Sequence, residues 1–280
     1  MRGRKKSNNA AMQHPFDTAI ALEPAGQDRF FGRTSPAYAN MVGPFGGTTT
    51  AVLLNAALRH PQRQGDPIAL TVNFASPVAD GDFEIEAVPV RTNRSTQHWS
   101  LQLRQGAAVA ASATAVFALR RETWSAREAV MPPDMPAAAA LARAPFQALP
   151  TWAQRYDMRF TEEDALLQFD GQEQAHSYSR MWVRDEPPRP LDFAALAALC
   201  DCFLPRIFYR RRRPAPVGTV SLTSYFHADA SLLAAQGEHH LLGVARAQTF
   251  RNGYFDQSAE VWGQDGQLLA TTHQMVYFRE

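Results

Sequence analysis

The sequence predicts an α+β protein made of two tandem copies of one unit, a central helix wrapped by a curved antiparallel sheet, with the two sheets joined edge to edge. Three observations lead there. Residues 67–119 read as four successive strands, a helix with a Gly-Gly start stands just before them, and the same plan of a helix followed by strands recurs in the last hundred residues. At 280 residues and 45% hydrophobic content, the chain can bury the core that such a plan requires.

Residues 1–15 are basic and polar, with no apolar stretch after them, and are expected to form a disordered tail. The first unit is expected over 16–120. In it "GPFGGTTTAVLLNAALRHP" carries a Gly pair, three threonines able to cap, and an apolar helical segment that Pro61 ends. The strands "PIALTVNFASPV", "DFEIEAVPVRT", "TQHWSLQLRQ" and "AAVAASATAVFAL" follow, separated by the turn-like "ADGD", "TNRS" and "QG". Residues 121–152, with several prolines and an alanine-rich patch, break the strand pattern and are expected to be a linker packed on the surface. The second unit, 153–280, holds the strand "HSYSRMWVRD", the helix "LDFAALAALCDCFLPRIF", and the strands "GTVSLTSYFHAD", "HHLLGVARAQTF", "FDQSAEVWGQ" and "QLLATTHQMVYFRE".

The repeat is visible residue by residue. "ALTVNF" sets beside "SLTSYF" at a constant offset, Phe226 minus Phe74 being 152, and "GAAVAASATAVF" sets beside "GQLLATTHQMVY" with Gly106 and Gly266 160 apart. The longer loop "ADASLLAAQGEHH" takes up the difference. Joining two such sheets at their edges covers strands that would otherwise template aggregation.

One residue stands out. From Phe193 to Leu204 every residue but Asp201 is apolar, so the helix is expected to be buried nearly all round and the carboxylate costs several kcal/mol unless it is paired or hydrogen-bonded. A satisfied structural acid is one reading, its partners being backbone N–H groups or an arginine such as Arg206 or Arg210. The other is a base whose pKa burial has moved toward the working range. The repeat favours the second. Matching Pro61 with Pro205 sets Ala57 opposite Asp201, and the strand offsets of 152 and 160 set Pro67 opposite Thr219 and Thr114 opposite Gln274, so the acid, the hydroxyl and the amide belong to the second half alone.

These stretches resemble the acyl-CoA thioesterase II family of double-hotdog proteins. In the second half the similarity runs through "AALCDCFLP", "GTVSLTSYFH" and "LLATTHQMVYF". In the first it runs through "FGGTTTAVLLNAA" and the strand that leads to a Phe-x-x-Pro. Together they span roughly residues 20 to 120 and 175 to 280. The resemblance implies a double hotdog and hydrolysis of fatty acyl-CoA to free fatty acid and CoA, with Asp201, Thr219 and Gln274 holding the attacking water. It implies no cofactor and no metal. Those residue types suit the chemistry: Asp201 accepts a proton from water while Thr219 and Gln274 fix that water, without a covalent intermediate. Free N–H groups at a helix start can stabilise the carbonyl oxygen, and Gly46 and Gly47 allow a substrate close approach to one such start. Where many members have Asp-His after the Thr, this chain has Ser221-Leu222, so Ser221 can share or replace the hydroxyl role.

Other features carry less. The run "YRRRRPAP" could grip the phosphates of coenzyme A, although a solvated loop is the more ordinary reading. Strand alternation points His273 away from Gln274, and the adjacent histidines of "GEHHLL" lack a third ligand for zinc. Trp99 and Trp262 read as core. The net charge of +1 gives no field for nucleic acid. No run of about 18 apolar residues marks a membrane span. Cys200 and Cys202, two apart on a helix, cannot pair, which favours a reducing, cytoplasmic setting. Further sheet pairing into a homodimer or higher homo-oligomer is compatible with the architecture. Two rival functions stand beside hydrolysis: a hotdog enoyl-CoA hydratase or dehydratase, which typically pairs an Asp with a His not found here, and a non-catalytic acyl-CoA-binding protein.

Overall fold

The computed structural model describes residues 13–145, 149–165 and 169–279, so the first twelve residues of the expected tail lie outside it. In chain order the elements are α1 (Pro15–Ala19), β1 (Glu23–Pro24), β2 (Arg29–Arg33), α2 (Gly46–Arg59), β3 (Asp66–Phe74), β4 (Asp82–Thr92), β5 (Thr96–Gln105) and β6 (Ala108–Ala118). The second half continues with β7 (Tyr156–Arg159), β8 (Ser179–Asp185), α3 (Phe193–Leu199), α4 (Arg206–Arg211), β9 (Val217–Phe226), α5 (Ala230–Gln236), β10 (Leu241–Arg246), β11 (Phe250–Arg251), β12 (Tyr254–Trp262) and β13 (Leu268–Phe278).

The strands form a single sheet in the order β1-β2-β4-β5-β6-β3-β9-β13-β12-β10-β8-β7, with β11 paired to β12 off that path. The run β2-β4-β5-β6-β3 is repeated by β8-β10-β12-β13-β9, so the molecule is a double hotdog whose two sheets meet at β3 and β9. Thr71 faces Thr223 across this seam, their hydroxyls 3.0 Å apart. The 152-residue offset makes these two residues each other's counterparts, and the two-fold relation of the halves therefore passes between them. At the outer edges β1 and β7 have only two and four residues, which limits what they offer a foreign strand.

Residues 47–54 of α2 are buried without a break, as are all seven residues of α3. Both helices sit in one core with the inner faces of the strands. On the opposite face of the second half, Trp182, Leu242, Val244 and Trp262 are covered by Ala129, Met131 and Met135, and the Trp182 indole N–H donates to the Pro136 carbonyl at 2.7 Å. Trp99 is buried in the main core and Trp262 in this second cluster.

Three local expectations are corrected. The helix expected from Leu191 to Phe208 is two helices: α3 ends at Leu199, a turn carries Cys200 to Leu204, and Pro205 caps the start of α4. Its uniform apolarity hides the break, because the turn is nearly as apolar as the helix. The threonines of α2 do not cap it. Phe45 occupies the cap position without a side-chain bond, and Thr48, Thr49 and Thr50 are buried inside the first turns. The loop before β10 contains α5, which Asp229 caps by accepting from the Leu232 N–H at 2.8 Å and which Gly237, at φ +56°, ends.

Candidate active site

Asp201 lies in the turn just past α3, where its N–H bonds the Ala198 carbonyl at 3.0 Å. That tight turn swings the side chain out of the line of the helix and onto the N-terminus of α2, an element of the other half. There the Gly47 N–H donates to the carboxylate, and the carboxylate oxygen Oδ2 comes so close to Gly46 that a Cβ at that position would stand 2.6 Å from it. The group that exploits the missing side chain is thus Asp201 itself. A Cβ on Gly47 would meet the Ala198 carbonyl oxygen at 2.6 Å and the Phe45 ring at 2.3 Å, so the second glycine is what lets α2 and α3 touch. Phe45 is in turn held by stacking on Trp152, with centroids 4.1 Å apart.

Gln274, on β13, points into the core and is 6% exposed. Its Nε2 donates to Asp201 Oδ1 at 2.9 Å, and its Oε1 accepts from the Thr219 hydroxyl at 3.3 Å. The carboxylate, an acceptor only, takes the amide NH₂, and the remaining oxygen is then held by the Thr219 hydroxyl. Simple alternation does not bring Thr219 inside. Leu222 is fully buried and pairs with Gln274, so counting back by twos would put residue 220 inside and Thr219 outside. The ladder instead pairs Ser221 with Met275 and Thr219 with Val276, leaving Val220 as an extra residue that points to solvent. This bulge turns Thr219 inward. It is part of the repeat, since β3 skips Ile68 at the equivalent position, between Pro67 and Ala69.

The three residues proposed from the sequence therefore meet in one hydrogen-bonded chain. Ser221 does not join them. It lies on the outer face between the exposed Asn73 and Met275, which corrects the expectation that it can share the hydroxyl role. The repeat alignment is also adjusted by one: Gln274 pairs with Leu222, and Leu70, the counterpart of Leu222, pairs with Ala115, so Ala115 rather than Thr114 is the counterpart of Gln274. The first half still offers only apolar groups at these places, Pro67 and Ala115.

Neither arginine suggested as a counter-charge reaches Asp201. Arg206 turns to Ser179, Gln257 and backbone carbonyls, and Arg210 pairs with Glu173 at 2.8 Å. Residue 201 keeps some accessible surface while its carboxyl group is enclosed by protein atoms. Enclosure pushes its pKa up to about 7, against the opposing pull of the Gln274 and Gly47 hydrogen bonds. That places the group where a general base is most effective at neutral pH. Below this value the carboxyl is protonated and cannot accept a proton, so kcat/KM should climb with pH and level off above about 7; a profile flat from pH 5 to 8 would exclude Asp201 as the base.

The contribution of α2 is the part that sequence reasoning missed. "PFGG" signals a helix start with no capping side chain, and an acid from elsewhere was the missing partner. Among the other candidates, His273 is exposed and faces Ser258, His240 bonds Asp157 at 3.0 Å, and both cysteines are buried free thiols. Among the described residues no group of three or more His, Cys, Asp or Glu could hold a metal ion, and no helix is long and apolar enough to cross a membrane.

The fold and the site define a class of double-hotdog proteins with one enclosed carboxylate, held by an amide and a helix start, in two fused units. Family models place the chain within it. Residues 35–118 match the acyl-CoA thioesterase N-terminal domain and residues 128–278 the acyl-CoA thioesterase C-terminal domain, and the chain belongs to this family of thioester hydrolases. Among solved structures it is similar to a conserved protein of unknown function with hot dog fold from Alicyclobacillus acidocaldarius, with 52% identity, a TM-score of 0.90, and coverage of 96% of this chain and 99% of that one. A putative thioesterase II from Thermobifida fusca (19% identity, TM-score 0.81, 95% and 97% covered) has the same fold. So does an acyl-CoA thioesterase II from Mycobacterium marinum (19%, 0.74, 94% and 98%). Comparison with curated proteins returns no match.

Proposed function

We propose that the chain hydrolyses fatty acyl-CoA to the free fatty acid and CoA, with Asp201 as the general base. The observation that carries this reading is an enclosed carboxylate with a pKa of about 7 and, among the described residues, no cation beside it, tied to an amide that a hydroxyl orients. Asp201 takes a proton from water as the water oxygen attacks the thioester carbonyl carbon. The carbon–sulfur bond then breaks, the proton held by Asp201 returns to the thiolate to give CoA, and the fatty acid, formed as the carboxylic acid, gives its remaining proton to solvent. The Gly47 N–H is taken by Asp201 and those of Thr48 and Thr49 by the Phe45 carbonyl, so the Gly46 N–H is the first-turn donor that can serve the oxyanion, beside the base. A cytoplasmic setting, where thiols stay reduced, suits the two free cysteines.

Thr219 acts by orienting. Thr219→Val keeps the shape but frees the Gln274 amide to turn, and should lower kcat by about ten- to a hundredfold with little change in thermal stability. Thr219→Ser, which keeps the hydroxyl, should recover most of the rate. A serine variant no better than the valine one would count against this role.

A further inference from the structure

A cleft of about 880 Å³ opens in the second half, between α4, the β11–β12 hairpin and the segment before β8. Its volume is that of an ordinary small-molecule site. Arg210, Arg211 and Arg251 line it, over apolar surface from Ile207, Phe250 and Phe278. Glu173, paired with Arg210, is the acid in the lining. Arg251 makes no ion pair with a described residue, and the two-residue turn Asn252-Gly253, both at positive φ, fixes it at the rim.

A fourth arginine stands behind the wall. Arg206 is 1% exposed, yet among the described residues its N–H groups reach neutral partners: the carbonyls of Leu204, Ser177 and Ala245, the Ser179 hydroxyl at 2.8 Å, the Gln257 amide at 3.2 Å and the side chain of Tyr209, whose ring centroid lies 4.4 Å away. Among the described residues no carboxylate pairs with it. Burial lowers its pKa to about 10, so it is still charged at neutral pH. A buried cation without a counter-ion is costly, and it projects positive potential through Ser177, a residue of the cleft wall.

The cleft lies in line with the site. Gln274, Val276 and Phe278 are successive inward residues of β13, and the last lines the cleft, at a distance of about 14 Å from Gln274 by strand rise. An extended pantetheine arm covers such a span. α4 has no counterpart in the first half, whereas the β11–β12 hairpin matches the end of the β4–β5 hairpin, so it is through α4 that the cleft accompanies the half that carries Asp201.

We propose that this cleft holds the phosphate-bearing nucleotide end of the coenzyme A thioester, with Arg211 and Arg251 on its phosphates and the apolar floor under its base. The proposal rests on the hydrolytic reading of the Asp201 site, and the test separates the two. Arg251→Ala should raise KM for an acyl-CoA about tenfold and Arg211→Ala/Arg251→Ala about a hundredfold, with kcat little changed. The same acyl group carried on pantetheine, which lacks the phosphates, should show one KM in all three proteins. By calorimetry, adenosine 3′,5′-bisphosphate should bind the wild type and weaken by the same factors in the variants. Unchanged KM values, equal losses for both thioesters, or no binding of the bisphosphate would overturn the cleft assignment even if hydrolysis depends on Asp201. Bisphosphate binding that the variants lose, in a chain that cleaves neither thioester, would support the cleft and refute the reaction.

Discussion

Asp201→Asn should abolish catalysis and at the same time make the protein harder to unfold at alkaline pH. The loss in kcat is expected at about 10²- to 10⁴-fold, the usual share of a positioned base. The asparagine keeps an oxygen to accept from Gln274 Nε2, so the chain of hydrogen bonds can persist while the charge disappears. The gain in stability follows from linkage. The folded-state pKa of about 7 lies above the unfolded value of 3.8, so the folded protein binds the proton more tightly. The contribution to stability is fully present below 3.8 and is lost as pH rises toward 7. Asparagine does not titrate, and the variant should therefore have the higher Tm at pH 8, with the gap closing as pH falls toward 4. A structural acid serving only to cap α2 gives the opposite sign, because removing its charge would then cost stability at pH 8. Tm measured across that pH range on both proteins decides between the two.

Gly46→Ala should also inactivate the enzyme, by a different route. The new methyl would stand 2.6 Å from Asp201 Oδ2, so the carboxylate must move, and moving it breaks the bonds to Gln274 and Gly47. A misplacement of this size costs about a hundredfold in rate. The helix itself gains, since alanine is favoured over glycine by up to about 1 kcal/mol. Gly47→Ala provides the contrast. Its methyl meets a backbone carbonyl, which cannot rotate away, and the expected result is a drop in stability of about 1–3 kcal/mol. Activity lost with Tm retained at position 46, and Tm lost at position 47, is the pattern that identifies the first glycine as part of the site and the second as part of the helix packing.

Much of this was legible in the chain. The bounds of β4 and β5 are readable to the residue, because the turns around them hold glycines at positive φ, Gly81 and Gly106, and the polar run "NRS". The repeat implied that two sheets join edge to edge but not which edges; the structure supplies them, Thr71 meeting Thr223, its counterpart at the offset of 152. It also separated a half bearing Asp201, Thr219 and Gln274 from a half bearing none of them. What periodicity could not show is where a chain bends away from its pattern. The turn after α3 is almost as apolar as the helix, and the bulge at Val220 reverses the faces that alternation from Leu222 assigns to Thr219 and Val220. Contacts between halves are equally invisible. Nothing near Gly46 in sequence announces that a carboxylate from the far half will fill the space left by its missing side chain. α5 is a different case: Asp229 and Gly237 bracket it with ordinary helix-end residues.

The central claim is that Asp201 activates water and does not itself attack the thioester. A single turnover of acyl-CoA in ¹⁸O-enriched water, with enzyme in excess, separates these directly by mass spectrometry of the fatty acid and of the peptide that contains Asp201. Attack by water places the label in the fatty acid, leaves the peptide unlabelled, and leaves no acyl group on that peptide when the turnover is quenched before completion. Label in the Asp201 peptide, or an acyl adduct trapped on it, would mean that the carboxylate had formed an anhydride with the acyl group, and would contradict the account.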